Sequence, residues 1–402
     1  MKLSLLYLNP ELELVLRCAR TDIDSENAED IDTLLHTDLD WSKIIRLAYQ
    51  NGVAPLLYKS LTSTFQETVP QDVLIQLKEY YLFNLQTNLF LTNEIVTILR
   101  IFSEKEIQII PYKGSVLTES IYGNIGLRQF SDLDIIVHKH DVKKAKEVLL
   151  SQGYKLTWPK IQLSEKQETS HIREKYNYQF IHEDDEVIVE LHWNVRPNYF
   201  SFPHDSEWLW QRLELVTLFG KPVYTFTPED YLLILCVHGG NHCWIRLNWI
   251  CDISEIIKKN PLLKWEQLIA ESASQGCERM LLLGLLLSHD LLGTDLPDEI
   301  WERLTNQPEV KSLARQVIFK FLSNSWVGSG FFEIPRFHLK ARDNLPDRWR
   351  YSLHLLGPSS KDWAFITLPE SLDFLYYLIR PVRLGIEHGL VPLEYQIKKL
   401  IN

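Results

Sequence analysis

The chain has 402 residues, too many for one typical core and enough for two or three compact units. Its 45% hydrophobic, 11% aromatic and 24% charged composition excludes extended disorder. A formal charge of −11 and a pI near 5.7 disfavour nonspecific nucleic-acid binding, which needs a surplus of Lys and Arg on one face, and leave room for a local basic cleft.

Five cysteines (Cys18, Cys236, Cys243, Cys251, Cys277) without a CxxC or disulfide pattern point to a reducing cytoplasm. The start carries only a short apolar run before Pro10 and Glu11, without the pattern of a signal peptide. No apolar run reaches the roughly 20 residues of a membrane span; residues 280–287 come nearest and stop at Ser288, His289 and Asp290. The expectation is a soluble protein with no membrane partner.

Residues 1–100 read as helices. Leu12, Val15, Leu16 and Ala19 begin one apolar face, residues 41–58 carry another with Asp38 or Asp40 as cap, and residues 74–102 form a long helical pattern. Residues 107–112 are β-branched, end on an aromatic and stop before Gly114, as a strand does. A short helix over 115–122 leads through a glycine-bearing loop to a strand over 133–137. Asp141 then caps a helix over 142–152, which Gly153 ends. Strands follow near 176–182 and 186–194, separated by Glu183, Asp184 and Asp185. After Pro228 helical patterns return over 229–238, 249–258, 265–274, 278–291, 310–321, 345–356 and 370–379, with Pro358, Pro369 and Pro381 as breaks.

The predicted fold class is therefore α+β. A helical N-terminal region (1–100) precedes a mixed-sheet α/β core (101–227), and a helical C-terminal domain (228–402) follows.

The chemistry concentrates in the core. In Phe130-Ser-Asp132-Leu-Asp134-Ile-Ile-Val137 alternate side chains share a face, so Asp132 and Asp134 point one way and Leu133, Ile135 and Val137 point into the core. Two such carboxylates lie roughly 7 Å apart at Cα, within reach of one metal or of a pair spaced about 4 Å. Acids are depleted from strands, so the placement asks for a reason. In Val187-Ile-Val189-Glu190-Leu191-His192-Trp193 the same alternation puts Glu190 beside His192. If the two strands are neighbours, Glu190 completes a three-carboxylate site suited to Mg2+ or Mn2+. Upstream, Lys113-Gly114-Ser115 stands where a strand turns into a helix. Glycine there permits close approach to phosphate, and Lys113 and Arg128 add charge.

Gly114-Ser115, sixteen intervening residues, Asp132-Leu-Asp134 and then Val189-Glu190-Leu191 resemble the polymerase-β-like nucleotidyltransferase superfamily. More narrowly, they resemble a bacterial family of largely uncharacterised nucleotidyltransferases. Further segments carry the likeness: Lys113-Gly114, residues 128–134, Glu190 to Trp193, His238 with residues 246–252, and residues 362–381. The gap between Ser115 and Asp132 is longer than in many members of the superfamily, which implies an extra turn.

The resemblance implies a metal-dependent enzyme that moves a nucleoside monophosphate from a nucleoside triphosphate to an acceptor hydroxyl. Asp132, Asp134 and Glu190 would be its catalytic and metal-binding acids. Lys113, Gly114, Ser115, Arg128 and His238 would be its nucleotide-binding residues. The acceptor is a small molecule, a peptide or protein, or an RNA end. A non-catalytic nucleotide-binding regulator or partner, and a phosphotransferase on the same metal framework, are the alternatives.

Other features have competing readings. His238-Gly-Gly-Asn-His242 has the spacing of a helical zinc pair, but it lacks the metalloprotease glutamate, and Gly239 and Gly240 weaken a helix. Trp208, Trp210, Trp244, Trp249, Phe331, Phe332, Tyr376 and Tyr377 suit either base stacking or the core. His192 either orients Glu190 or satisfies a strand-edge hydrogen bond. Arg128 either clamps phosphate or pairs with Asp132.

Overall fold

A computed structural model describes residues 9–386 apart from 161–162, 183, 185, 197–206, 324–332, 358–359, 367 and 369. Phe331, Phe332, Pro358, Pro369, Glu183 and Asp185 therefore lie outside the described residues.

Five helices come first: α1 (Pro10–Cys18), α2 (Ser25–Leu35), α3 (Trp41–Gln50), α4 (Ala54–Thr64) and α5 (Gln71–Glu104). Of the two cap candidates it is Asp40 that accepts the Lys43 amide, at 3.0 Å. The run read as one face over 41–58 is two helices, because Gly52 at φ +71° turns the chain between α3 and α4.

The core follows as β1 (Ile109–Pro111), α6 (Gly114–Leu117), a π-helical turn Thr118–Tyr122, β2 (Asp132–Val137), α7 (Val142–Ser151), β3 (Tyr154–Trp158), α8 (Glu165–Glu174), β4 (Asn177–His182) and β5 (Ile188–His192). The π-helical turn, closed by Gly123 in the left-handed region, occupies the long gap before Asp132. Asp141 stands at the N-cap of α7, although its side chain makes no capping hydrogen bond.

The strands order as β1-β2-β5-β4-β3. The β2–β5 pair is parallel and the others are antiparallel, so the sheet is mixed and the fold is α+β. β3 and α8 lie beyond the elements expected from the sequence, although Ser164 and Gln167 form a reciprocal capping box at the start of α8. So does the hairpin β6 (Glu214–Leu218) to β7 (Lys221–Thr225). Both residues of that turn, Phe219 and Gly220, have positive φ, which Asn-Gly would have announced and Phe-Gly does not.

The helices after the sheet are α9 (Pro228–Asn241), α10 (Leu247–Lys259), α11 (Trp265–Ser274), α12 (Glu278–Leu292), α13 (Asp298–Thr305), α14 (Pro308–Ser323), α15 (Glu333–Lys340), α16 (Leu345–Leu356), α17 (Ser360–Phe365) and α18 (Tyr376–Gly385). Two expectations fail here. Helix α9 runs straight through Gly239 and Gly240, because a Cβ at Gly239 would sit 2.5 Å from the Trp244 ring: the bare backbone is the seat of that buried indole. Pro381 does not break the chain but lies inside α18.

Two hydrophobic clusters result. One joins α1–α4 and the first turns of α5 to α9–α14, so helices before and after the sheet share a core. The other packs the second half of α5 and α7 against Leu133, Ile135, Val137, Val189 and Leu191 of the sheet. All five cysteines are free and buried, and among the described residues no helix is long and apolar enough to cross a membrane.

Candidate active site

The parallel register of β2 and β5 sets Asp134 opposite Glu190 and Asp132 opposite Ile188. Strand alternation puts these acids and His192 on the face away from Leu133, Ile135 and Leu191. Ligand atoms of Asp134, Glu190 and His192 all lie within 4.8 Å of one another, the one group of this kind among the described residues. His192 Nε2 stands 3.0 Å from Asp134 Oδ1 and 3.2 Å from Glu190 Oε2. On β4, Asn177 and Gln179 donate to Glu190 at 3.4 Å each, so the glutamate is held from both sides.

Asp132 lines the same cavity but lies outside that tight group. The geometric cluster is thus two carboxylates and an imidazole, with His192 a member rather than only an orienting neighbour of Glu190. Its i, i+2 spacing from Glu190 was the available signal. The donor set of hard oxygens with one imidazole fits a divalent cation.

Behind the acids, α5 turns a polar stripe at four-residue spacing toward the core: Asn84, Asn88 and Thr92, all buried. Asn84 donates to the carbonyl of Gly126, Asn88 to those of Ile125 and Arg128, and Thr92 to the Ser115 hydroxyl at 2.8 Å. The stripe fixes the loop leading into β2. It also ties the Ser115 side chain to α5, and Ser115 does not line the cavity.

Lys113 and Gly114 do line it. Lys113 has φ +59° and ψ −152°, a region populated essentially by glycine, and Gly114 has φ +42°. This strained turn carries the Lys113 ammonium to 3.3 Å from Asp134. A Cβ at Gly114 would meet the Phe130 ring at 3.5 Å and the Asp132 carbonyl at 3.6 Å.

The two aspartates differ electrostatically. Burial and the neighbouring Asp134 push Asp132 up to about 6. Burial would also raise Asp134, but Lys113 and the His192 hydrogen bond outweigh it and hold that carboxyl well below the usual range. Glu190 is lowered in the same way: burial opposes ionisation and the His192 hydrogen bond overcomes it. Burial disfavours charge on His192 too, yet the hydrogen bonds to Asp134 and Glu190 raise its value.

The acids open on a cavity of about 330 Å³ whose far wall comes from α9 and α10: Leu235, His238, His242, Arg246, Asn248 and Trp249. Arg128 reaches the cavity edge, but its partner is not Asp132. Its guanidinium is bidentate to Asp252 on α10 at 2.8 and 2.9 Å, and Asp252 also accepts from the Tyr122 hydroxyl at 2.7 Å.

His238 and His242 stand with ring centroids 4.6 Å apart, and no third His, Cys or acid joins them into a ligand group among the described residues. Burial, with Lys113 and Arg196 nearby, holds His238 well below the ordinary imidazole value. His242, more exposed at the cavity rim, is lowered in the same direction by desolvation, with Arg196 and Lys113 beside it. Both rings are neutral at pH 7. Of the tryptophans considered for stacking, Trp244 is fully buried and Trp249 lines the cavity.

Comparison with curated proteins finds no match. A family model described as an uncharacterised nucleotidyltransferase matches residues 37–293, a stretch that holds the whole sheet, the acid cluster and the α9–α10 wall. With more than half of its length matched, the chain belongs to that nucleotidyltransferase family.

Proposed function

We propose that the chain transfers a nucleoside monophosphate from a nucleoside triphosphate to an acceptor hydroxyl, with Mg2+ or Mn2+ bound at Asp132, Asp134 and Glu190. The observation that carries this reading is the parallel β2–β5 register, which faces Asp134 with Glu190 in a cavity walled by Lys113 and Gly114. Divalent metal in such a site neutralises phosphate charge and polarises the phosphorus under attack.

The chain's own residues divide the remaining work. Asp134 and Glu190 are already ionised, so neither needs to lose a proton on binding a cation. Glu190, braced by Asn177 and Gln179, faces the acceptor and takes its hydroxyl proton. Gly114 lets the triphosphate approach the backbone, and Ser115 supports that turn from behind through Thr92. His238 and Trp249, on the helical wall, face the nucleoside. In this reading residues 101–227 are the catalytic core, and residues 1–100 and 228–402 close the cleft and select the acceptor.

The test incubates the protein with each labelled triphosphate, Mg2+ or Mn2+, and lysate from its source, and reads products by mass. An acceptor heavier by one nucleoside monophosphate, with pyrophosphate released, supports the reading. Added phosphate alone, or no product with any triphosphate, overturns it.

A further inference from the structure

The cations nominated for phosphate are already engaged. Lys113 stands against Asp134, and Arg128 is spent on Asp252. Another cation in the cavity is not. Arg196, four residues beyond His192, is only 4% exposed and lines the same cavity. It makes no hydrogen bond or ion pair with any described residue, and its Nε is buried without a partner.

A buried guanidinium without an anion is costly, because desolvation is not repaid. Its neighbours do not repay it: His238 and His242 are neutral, and Tyr176 keeps its proton. Arg246, an exposed cation at the same cavity, adds to the positive potential. Among the described residues the cavity therefore has two poles, acids on the sheet and an arginine without an ion-pair partner facing the α9 wall.

We infer that Arg196 is an anion-binding residue, its fork holding phosphate oxygens of a ligand seated between the sheet and α9. The inference rests on the proposed nucleotidyl transfer for its setting. The phosphate chemistry has two sources: the non-transferred phosphates of the triphosphate, or a phosphate carried by the acceptor.

The experiment uses inorganic pyrophosphate as probe, in the presence of EDTA, so that neither metal nor nucleotide enters. Calorimetry on the full chain compares wild type with Arg196→Gln, Arg196→Lys and Asp132→Asn. Wild type is expected to bind. Arg196→Gln weakens binding by about tenfold or more, the scale of one lost charge-assisted hydrogen bond. Arg196→Lys retains part of the affinity, and Asp132→Asn binds as well as wild type or better.

Thermal unfolding without ligand supplies the second readout. Removing an unpaired buried charge leaves Arg196→Gln at least as stable as wild type, whereas a structural arginine would cost stability. In a separate titration without EDTA, pyrophosphate that competes with the magnesium triphosphate marks the triphosphate as source, and simultaneous binding marks the acceptor. No binding to wild type, equal binding to Arg196→Gln, or a destabilised Arg196→Gln overturns the inference. A failure of nucleotidyl transfer would instead show only in the labelled-product assay.

Discussion

Replacing Arg128 by Met should destabilise the unliganded protein substantially, although the sequence places this arginine beside the catalytic acids. Its guanidinium is 5% exposed, and the Asp252 carboxylate it holds through two hydrogen bonds has no exposure. Removing the arginine leaves Asp252 as a buried charge with the Tyr122 hydroxyl as its remaining side-chain partner among the described residues. Breaking such a pair costs about 3–5 kcal/mol. For a chain of 402 residues that unfolds as a unit, this is a fall in Tm of about 4–6 °C. Replacing both partners, with Arg128→Met and Asp252→Leu together, should recover most of the loss, because no charge is then left alone. Thermal and urea unfolding of the two single variants and the double variant complete the cycle. A loss under about 1 °C for Arg128→Met, together with weakened triphosphate binding, would refute the structural assignment and make Arg128 the phosphate clamp.

The paired aspartates should respond in opposite directions. Asp132 is raised to about 6 from an ordinary 3.8, so its contribution is present below about pH 4 and lost as pH rises through 6. In EDTA, Asp132→Asn is therefore expected to raise Tm by up to about 3 °C at pH 8 and by nothing at pH 4; a lower Tm at pH 8 would contradict the burial and repulsion described. Asp134→Asn removes the partner of both Lys113 and His192 and should lower Tm at pH 7, a direction that differential scanning fluorimetry reads directly. Both variants should weaken Mn2+ binding by titration calorimetry, and unchanged titrations would remove the aspartates from the metal site. Glu190→Gln should lower turnover by about 10²-fold or more with triphosphate Kd nearly unchanged, read by single-turnover rates beside calorimetry; wild-type turnover would leave Glu190 a structural acid.

The local order of the fold is legible along the chain. Helical periodicity marked α5 and the helices after Pro228, β-branched runs marked β1 and β2, and period-two alternation put Asp132 with Asp134 and Glu190 with His192 on shared faces. These are properties of neighbours along the chain, set by backbone geometry whatever the strands pair with. Local pattern did not reveal the β6–β7 hairpin, whose turn lacks the usual residues, or the passage of α9 through two glycines, which depends on where Trp244 lands.

Partners were set by the folding of the chain, because each pair is made by segments far apart in sequence. Arg128 meets Asp252 across 124 residues, and Asp134 meets His192 across 58. That pairing separates two aspartates that look alike in Asp132-Leu-Asp134, raising one and lowering the other. The same holds for Arg196, which reads in the sequence as one arginine among many. Its burial without an anion among the described residues follows from the strands and the α9 helix closing around it, and no local pattern of residues encodes that closure.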